Sequence, residues 1–97
     1  MVVRRILWTS RALRRLDQIG ERITRDNPAA AANVVARIVA AVDTLVDHPD
    51  KGRAGRLATT RELVIPNLPY IVPYRVNADV VEVLTVLHTS RQWPQEL

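Results

Sequence analysis

Residues 61–88 hold the part of the chain with the clearest pattern. They read Arg61-Glu62-Leu63-Val64-Ile65, Pro66-Asn67-Leu68-Pro69, Tyr70-Ile71-Val72-Pro73-Tyr74-Arg75-Val76, Asn77-Ala78-Asp79 and Val80-Val81-Glu82-Val83-Leu84-Thr85-Val86-Leu87-His88. Three runs rich in β-branched and aromatic residues alternate with two clusters of turn formers. That pattern predicts three strands joined as antiparallel hairpins. Pro73 removes one ladder hydrogen bond from the second strand, which calls for an edge position or a bulge. In the third run Val80, Leu84 and Val86 line one side and Val81, Val83 and Leu87 the other. A strand apolar on both sides is expected to be central and covered, at least in part, on both faces.

Upstream, residues 3–9 read as a first strand. Ser10 then stands where an N-cap belongs. Ala12, Leu13, Leu16, Ile19 and Ile23 recur at steps of three and four, which predicts a helix over about 11–26 with one apolar stripe. Arg11, Arg14, Arg15, Arg22 and Arg25 fall largely on its other faces and read as a solvated surface. Asn27-Pro28 ends this helix, because a residue before proline avoids helical backbone. Pro28 also suits the first position of the next helix, expected over 28–47. Val34, Val35, Ile38, Val39, Val42, Leu45 and Val46 form its stripe, and His48-Pro49 stops it. The polar stretch 50–60 then joins helices to strands. The order is β-α-α-β-β-β, an α+β fold with a helical hairpin on one face of a mostly antiparallel sheet.

Ninety-seven residues suffice for one domain and one core. There is no Phe, so Val, Leu, Ile and Ala must build that core; there is no Cys, which excludes disulfides and thiolate metal sites. No apolar run approaches the roughly 20 residues of a membrane helix, and residues 1–8 are too short and too charged for a signal peptide. The reading is a soluble, cytoplasmic protein with no membrane partner. The net charge is +4, and arginine supplies 13 of the 14 cations. Arginine forks phosphate and carboxylate alike, so nucleic acid and an acidic protein are both candidate partners.

No metal constellation or cofactor motif is visible: His48 and His88 are the only histidines, and no carboxylate stands at ligand spacing near His88. Gly52-Arg53-Ala54-Gly55-Arg56 lacks the Gly-Lys-Ser/Thr ending of a phosphate loop. RNA cleavage through the 2′-hydroxyl needs a proton acceptor, a proton donor and cations around the phosphorane. His88, Arg61 and Arg91, with Tyr70 or Tyr74, are the residues that offer those groups. Arg53, Arg56, Arg61, Arg91 and Trp93 are candidates for holding phosphate or a target. A strand-end hydrogen bond from His88 and a solvated loop at Arg53 and Arg56 are the alternatives.

Several motifs in order resemble the RelE/ParE toxin superfamily of bacterial type II toxin–antitoxin modules. They are His-Pro at 48–49, Gly-Arg-x-Gly-Arg at 52–56, Thr-Arg-Glu-Leu-Val at 60–64, Tyr-x-Val-x-Tyr-Arg-Val at 70–76 and Val-Leu-His-x-x-Arg at 86–91. The resemblance covers nearly all of residues 1–97 and treats them as a single toxin domain. It implies a cognate antitoxin, growth arrest when the toxin is free, and contact with operator DNA only through the antitoxin. It also brings the association of such modules with plasmid stabilization. ParE-type members inhibit DNA gyrase; RelE-type members cleave mRNA on the ribosome. The arginine that RelE-type nucleases carry three residues before the tyrosine corresponding to Tyr74 is Ile71 here, so the resemblance favours gyrase inhibition. A histidine near the position of His88 serves some of the nucleases, which keeps cleavage as the alternative.

Overall fold

The computed structural model describes residues 4–90. At its centre lies β4 (Tyr70–Asn77), which pairs with β3 (Arg61–Val64) on one edge and with β5 (Val80–Val83) and β6 (Leu87–His88) on the other. All three pairings are antiparallel. A first strand, β1 (Arg5–Trp8), closes the far side of β5 in parallel, and the two-residue β2 (Arg53–Ala54) pairs with β3. Between β1 and β2 run α1 (Ser10–Asp26), α2 (Pro28–Asp43) and a 3-10 turn at Thr44–Val46. The expected α+β order therefore holds, with β2 and β6 as short additions.

Pro73 explains why the last run is two strands instead of one. Its carbonyl accepts from the Leu84 amide at 2.9 Å, so its nitrogen, which has no hydrogen, faces the same β5–β6 edge. There the register slips: Tyr74 faces Val83 and Ile71 faces Leu87, three steps on β4 against four on its neighbour. This is the bulge that proline in a strand demanded. It also corrects the side assignment. Val86 joins Val81 and Val83 in the core under the helices, while Leu84 and Leu87 are buried outside that core. One inserted residue reverses the alternation beyond it.

The helical hairpin covers the face of the sheet that carries Leu63, Val72, Tyr74, Val81 and Val83. From α1 it buries Ala12 and Leu16; from α2, Ala31, Ile38 and Val42. Leu13, expected in the stripe, is 48% exposed on the flank of α1. The N-cap is Thr9, one residue earlier than expected. Its hydroxyl accepts from the Ala12 amide at 3.1 Å and shares its own proton between the carbonyls of Val83 and Leu84. Ser10 lacks that choice because Thr9 is where β1 hands over to the helix beside β5. Asn27 serves both helices: its amide caps Ile23, and its side chain accepts from Ala30 at 3.1 Å. Glu21 and Arg25, one turn apart on α1, make no ion pair with each other.

The helical stretch Pro28–Val46 spans 19 residues and is apolar enough to cross a membrane by length and composition, contrary to the expectation from sequence runs. Asn33 and Arg37 interrupt the run along the chain but fall on an exposed side of one helix. Within it Ala31, Ile38, Val42 and Leu45 are buried. Arg37 ties this helix to the β3–β4 turn by donating to the Pro66 carbonyl at 2.8 Å.

Candidate functional site

The two ends of β4 hold the polar side chains, and they are built differently. At one end Tyr74, fully buried, donates its hydroxyl proton to the Pro49 carbonyl at 2.7 Å and accepts from the Gly52 amide at 2.9 Å. Burial raises this phenol above its usual range; the Gly52 hydrogen bond and the charge of Arg61 pull it partly back. A Cβ on Gly52 would stand 2.7 Å from the Tyr74 ring and 2.9 Å from the Glu62 carbonyl, so only glycine fits. Arg61, opposite Tyr74 on β3, donates to the carbonyls of Gly52 at 2.8 Å and Asp50 at 3.3 Å. Its guanidinium pins the loop that leaves the helices.

On the opposite face of β3 lies Glu62, 2% exposed. Its Oε1 accepts two bonds from Arg53, at 3.0 and 3.1 Å, and its Oε2 accepts the Arg56 amide at 3.0 Å. Arg53 and Arg56 are thus gathered by a buried carboxylate to which sequence reading gave no role. The signal was present: Glu62 alternates with Arg61 along a strand, so one of the pair had to point to each face. Arg75 on β4 bonds Thr59 at 3.3 Å and pairs with Glu82 at 3.6 Å. Thr59 has φ 63°, a left-handed backbone unusual for a β-branched residue, in the loop that carries Arg56.

At the other end of β4, Tyr70 faces His88 across the β4–β6 pair. The rings meet edge to face, centroids 5.4 Å apart. The His88 Nδ1 accepts from the Ser90 amide at 3.1 Å and lies 2.7 Å from the Ser90 hydroxyl. An accepting Nδ1 leaves the proton of the neutral ring on Nε2, so His88 offers a donor. A cleft of about 120 Å³ opens beside it, lined by Tyr70, Val86 and His88 from the sheet and by Arg15, Gln18, Ile19 and Arg22 from α1. Arg15 is steadied by 3.4 Å contacts to the Val86 carbonyl and the Gln18 side chain. Arg15 and Arg22 read as solvated surface in the sequence. Their seven-residue spacing puts both on one side of the helix, and only the position of β6 shows what that side overlooks.

Of the predicted catalytic residues, the described Arg61 and His88 stand at different ends of β4. Arg61 stands opposite Tyr74 and His88 opposite Tyr70, four residues apart along β4, or about 13 Å at roughly 3.3 Å per residue. Arg91 and Trp93 lie outside the described residues. Ile71 is buried between Val64 and Leu87, 7% exposed, in an apolar environment. No group of three His, Cys, Asp or Glu among the described residues is placed to hold a metal ion.

Comparison with known proteins agrees with this architecture. The family described as "ParE toxin of type II toxin-antitoxin system, parDE" matches residues 6–93. A Sinorhizobium fredii protein described as a toxin, Y4kP, is 60% identical over 94 residues, 97% of each chain. Toxin RelE2 of Caulobacter vibrioides is 36% identical over 86 residues, covering 89% of this chain and 96% of that one. A solved structure of the chromosomal ParDE TA system from P. aeruginosa superposes with a TM-score of 0.83 at 25% identity, covering 93% of this chain and all of the other. Fold and matches together define a toxin of the RelE/ParE superfamily. Within it, the chain belongs to the ParE toxin family of type II toxin–antitoxin systems.

Proposed function

We propose that this toxin arrests growth as a ParE-like inhibitor of DNA gyrase, released when its co-encoded antitoxin is lost. The observation that carries the reading is the separation of the groups a nuclease would need. Arg61 is spent on the Asp50 and Gly52 carbonyls, while His88 stands at the opposite end of β4 with its Nδ1 taken by Ser90. A cleavage reaction needs the base, the acid and the cations on one phosphate. The match to the ParE family supports the same choice. The antitoxin is the cytoplasmic partner in this reading, and operator DNA is reached only through it.

The second reading is ribosome-dependent mRNA cleavage. The relative named RelE2 favours it, as does the gathering of a donor imidazole and two arginines in one cleft. One experiment separates the two. Purified toxin is assayed in parallel for inhibition of gyrase supercoiling and for cleavage of a message on translating ribosomes. Supercoiling inhibited with the message intact is the expected result. Gyrase unaffected at about micromolar toxin, with cuts inside codons that vanish in His88→Ala, would replace the first reading with the second.

A further inference from the structure

Independently of the target, we propose that the cleft between α1 and the Tyr70–His88 end of the sheet binds a terminal phosphate monoester. The ring or chain that carries the phosphate lies on Ile19 and Tyr70. Arg15 and Arg22 are two turns apart on α1, about 10 Å along the helix at roughly 1.5 Å per residue, and both line the cleft. A ligand seated between them is within reach of two guanidinium forks. Among the described residues no carboxylate lines the cleft. Arg22 makes no ion pair with a described residue. Arg15 has Nε and Nη1 held by Val86 and Gln18, which aims the side chain and leaves Nη2 to donate. His88 adds a neutral donor, because Ser90 occupies its Nδ1.

Charge decides among the anions this donor set can take. A phosphate monoester carries about −1.5 to −2 at neutral pH and three strong acceptor oxygens. It balances two guanidinium groups. A carboxylate or an internal phosphodiester carries one charge and leaves one arginine uncompensated. The apolar floor favours a phosphate with carbon attached over the free ion, since Ile19 and Tyr70 are partly exposed and covering them rewards contact with a ring. The same monoester occurs on a free nucleotide and on the 5′ end of a nucleic acid.

The test uses the purified full chain, ¹⁵N-labelled, titrated with AMP, with a 5′-phosphorylated trinucleotide and with the same trinucleotide bearing a 5′-hydroxyl. The expected result is binding of the 5′-phosphorylated trinucleotide, with shifts at the Tyr70 and Ser90 amides and the His88 Nε2–H. The 5′-hydroxyl form binds at least about tenfold more weakly, the equivalent of one charge-assisted contact. AMP binding as tightly as the phosphorylated trinucleotide assigns the site to free nucleotides; weaker AMP binding assigns it to nucleic-acid ends. Arg22→Gln, an exposed position, weakens binding about tenfold, whereas Arg25→Gln on the same helix outside the cleft leaves it unchanged. Equal binding of phosphorylated and hydroxyl trinucleotides overturns the proposal, as does equal loss in the two arginine variants. So does the absence of binding by either phosphate ligand at about 1 mM. None of these outcomes bears on gyrase supercoiling, so this proposal and the choice of target stand or fall separately.

Discussion

The Tyr74 end of β4 and its Tyr70 end are made from similar residues and end up with opposite characters. Each has a tyrosine, arginines and a short polar loop. At the Tyr74 end the hydrogen-bonding groups are turned inward. Tyr74 satisfies Pro49 and Gly52, Arg61 satisfies Gly52 and Asp50, and Glu62 satisfies Arg53 and Arg56. At the Tyr70 end Arg22 and His88 line a cleft. Buried polar groups must be paired, so the first end is a structural clasp. Exposed donors without an anion beside them keep their capacity for a ligand. Arginine content alone does not mark a site; what the guanidinium groups are bonded to does.

Gly52→Ala should damage the clasp most. The added methyl overlaps both the Tyr74 ring and the Glu62 carbonyl, and the expected loss is about 3 kcal/mol by urea unfolding. A loss under about 0.5 kcal/mol, the range of neutral surface changes, would mean that the 49–52 loop is not clamped. Glu62→Gln comes next, at about 2 kcal/mol. It leaves a buried amide where Arg53 and the Arg56 amide need a carboxylate, discounted because Arg53 is 56% exposed. An unchanged unfolding midpoint would remove Glu62 from the clasp.

Tyr74→Phe should cost about 1 kcal/mol near neutral pH, with a second signature in alkali. The folded phenol is raised above its ordinary 10.0. Its contribution is therefore complete below pH 10 and declines as pH rises toward the folded value, because the unfolded chain ionises first. Stability plotted against pH should fall above about 10 in the native protein and more shallowly in Tyr74→Phe. Parallel curves would refute the linkage. The smallest effect belongs at the other end of β4: Arg22→Gln and His88→Gln should shift stability by less than about 0.5 kcal/mol, since each is partly or largely exposed. A cost as large as that of Glu62→Gln would make the Tyr70 end a second clasp and end the contrast.

Much of the fold was legible because hydrophobic periodicity reports burial directly. The stripes of α1 and α2, the three strand runs and the turns at 66–69 and 77–79 follow from it. Even the bulge was foreseeable in kind from Pro73, which cannot donate. Its consequence for Val86 and Leu87 was not, because a bulge moves everything beyond it to the other face and the position of the extra residue depends on the neighbouring strand. The cap shifted from Ser10 to Thr9 for a similar reason: the favoured hydroxyl is the one that also reaches Val83 and Leu84. The place of His88 at a strand end was legible. The opposite facing of Arg61 and Glu62 was legible, but not the role of Glu62, and Arg15 and Arg22 were read as surface. Charged side chains carry no periodic signal of what they face across space.

By itself the sequence determined the α+β order, the helical hairpin and the family. These rest on local propensity, on the spacing of apolar residues and on motifs that stay adjacent along the chain. Only the tertiary structure decided which arginines are spent and which remain open. That outcome depends on partners distant in sequence: Gly52 with Arg61 and Tyr74, Glu62 with Arg53, and α1 with the strand of His88. Hydrogen bonds and ion pairs act over a few ångströms, and which groups come within that range is settled when the sheet and the hairpin pack.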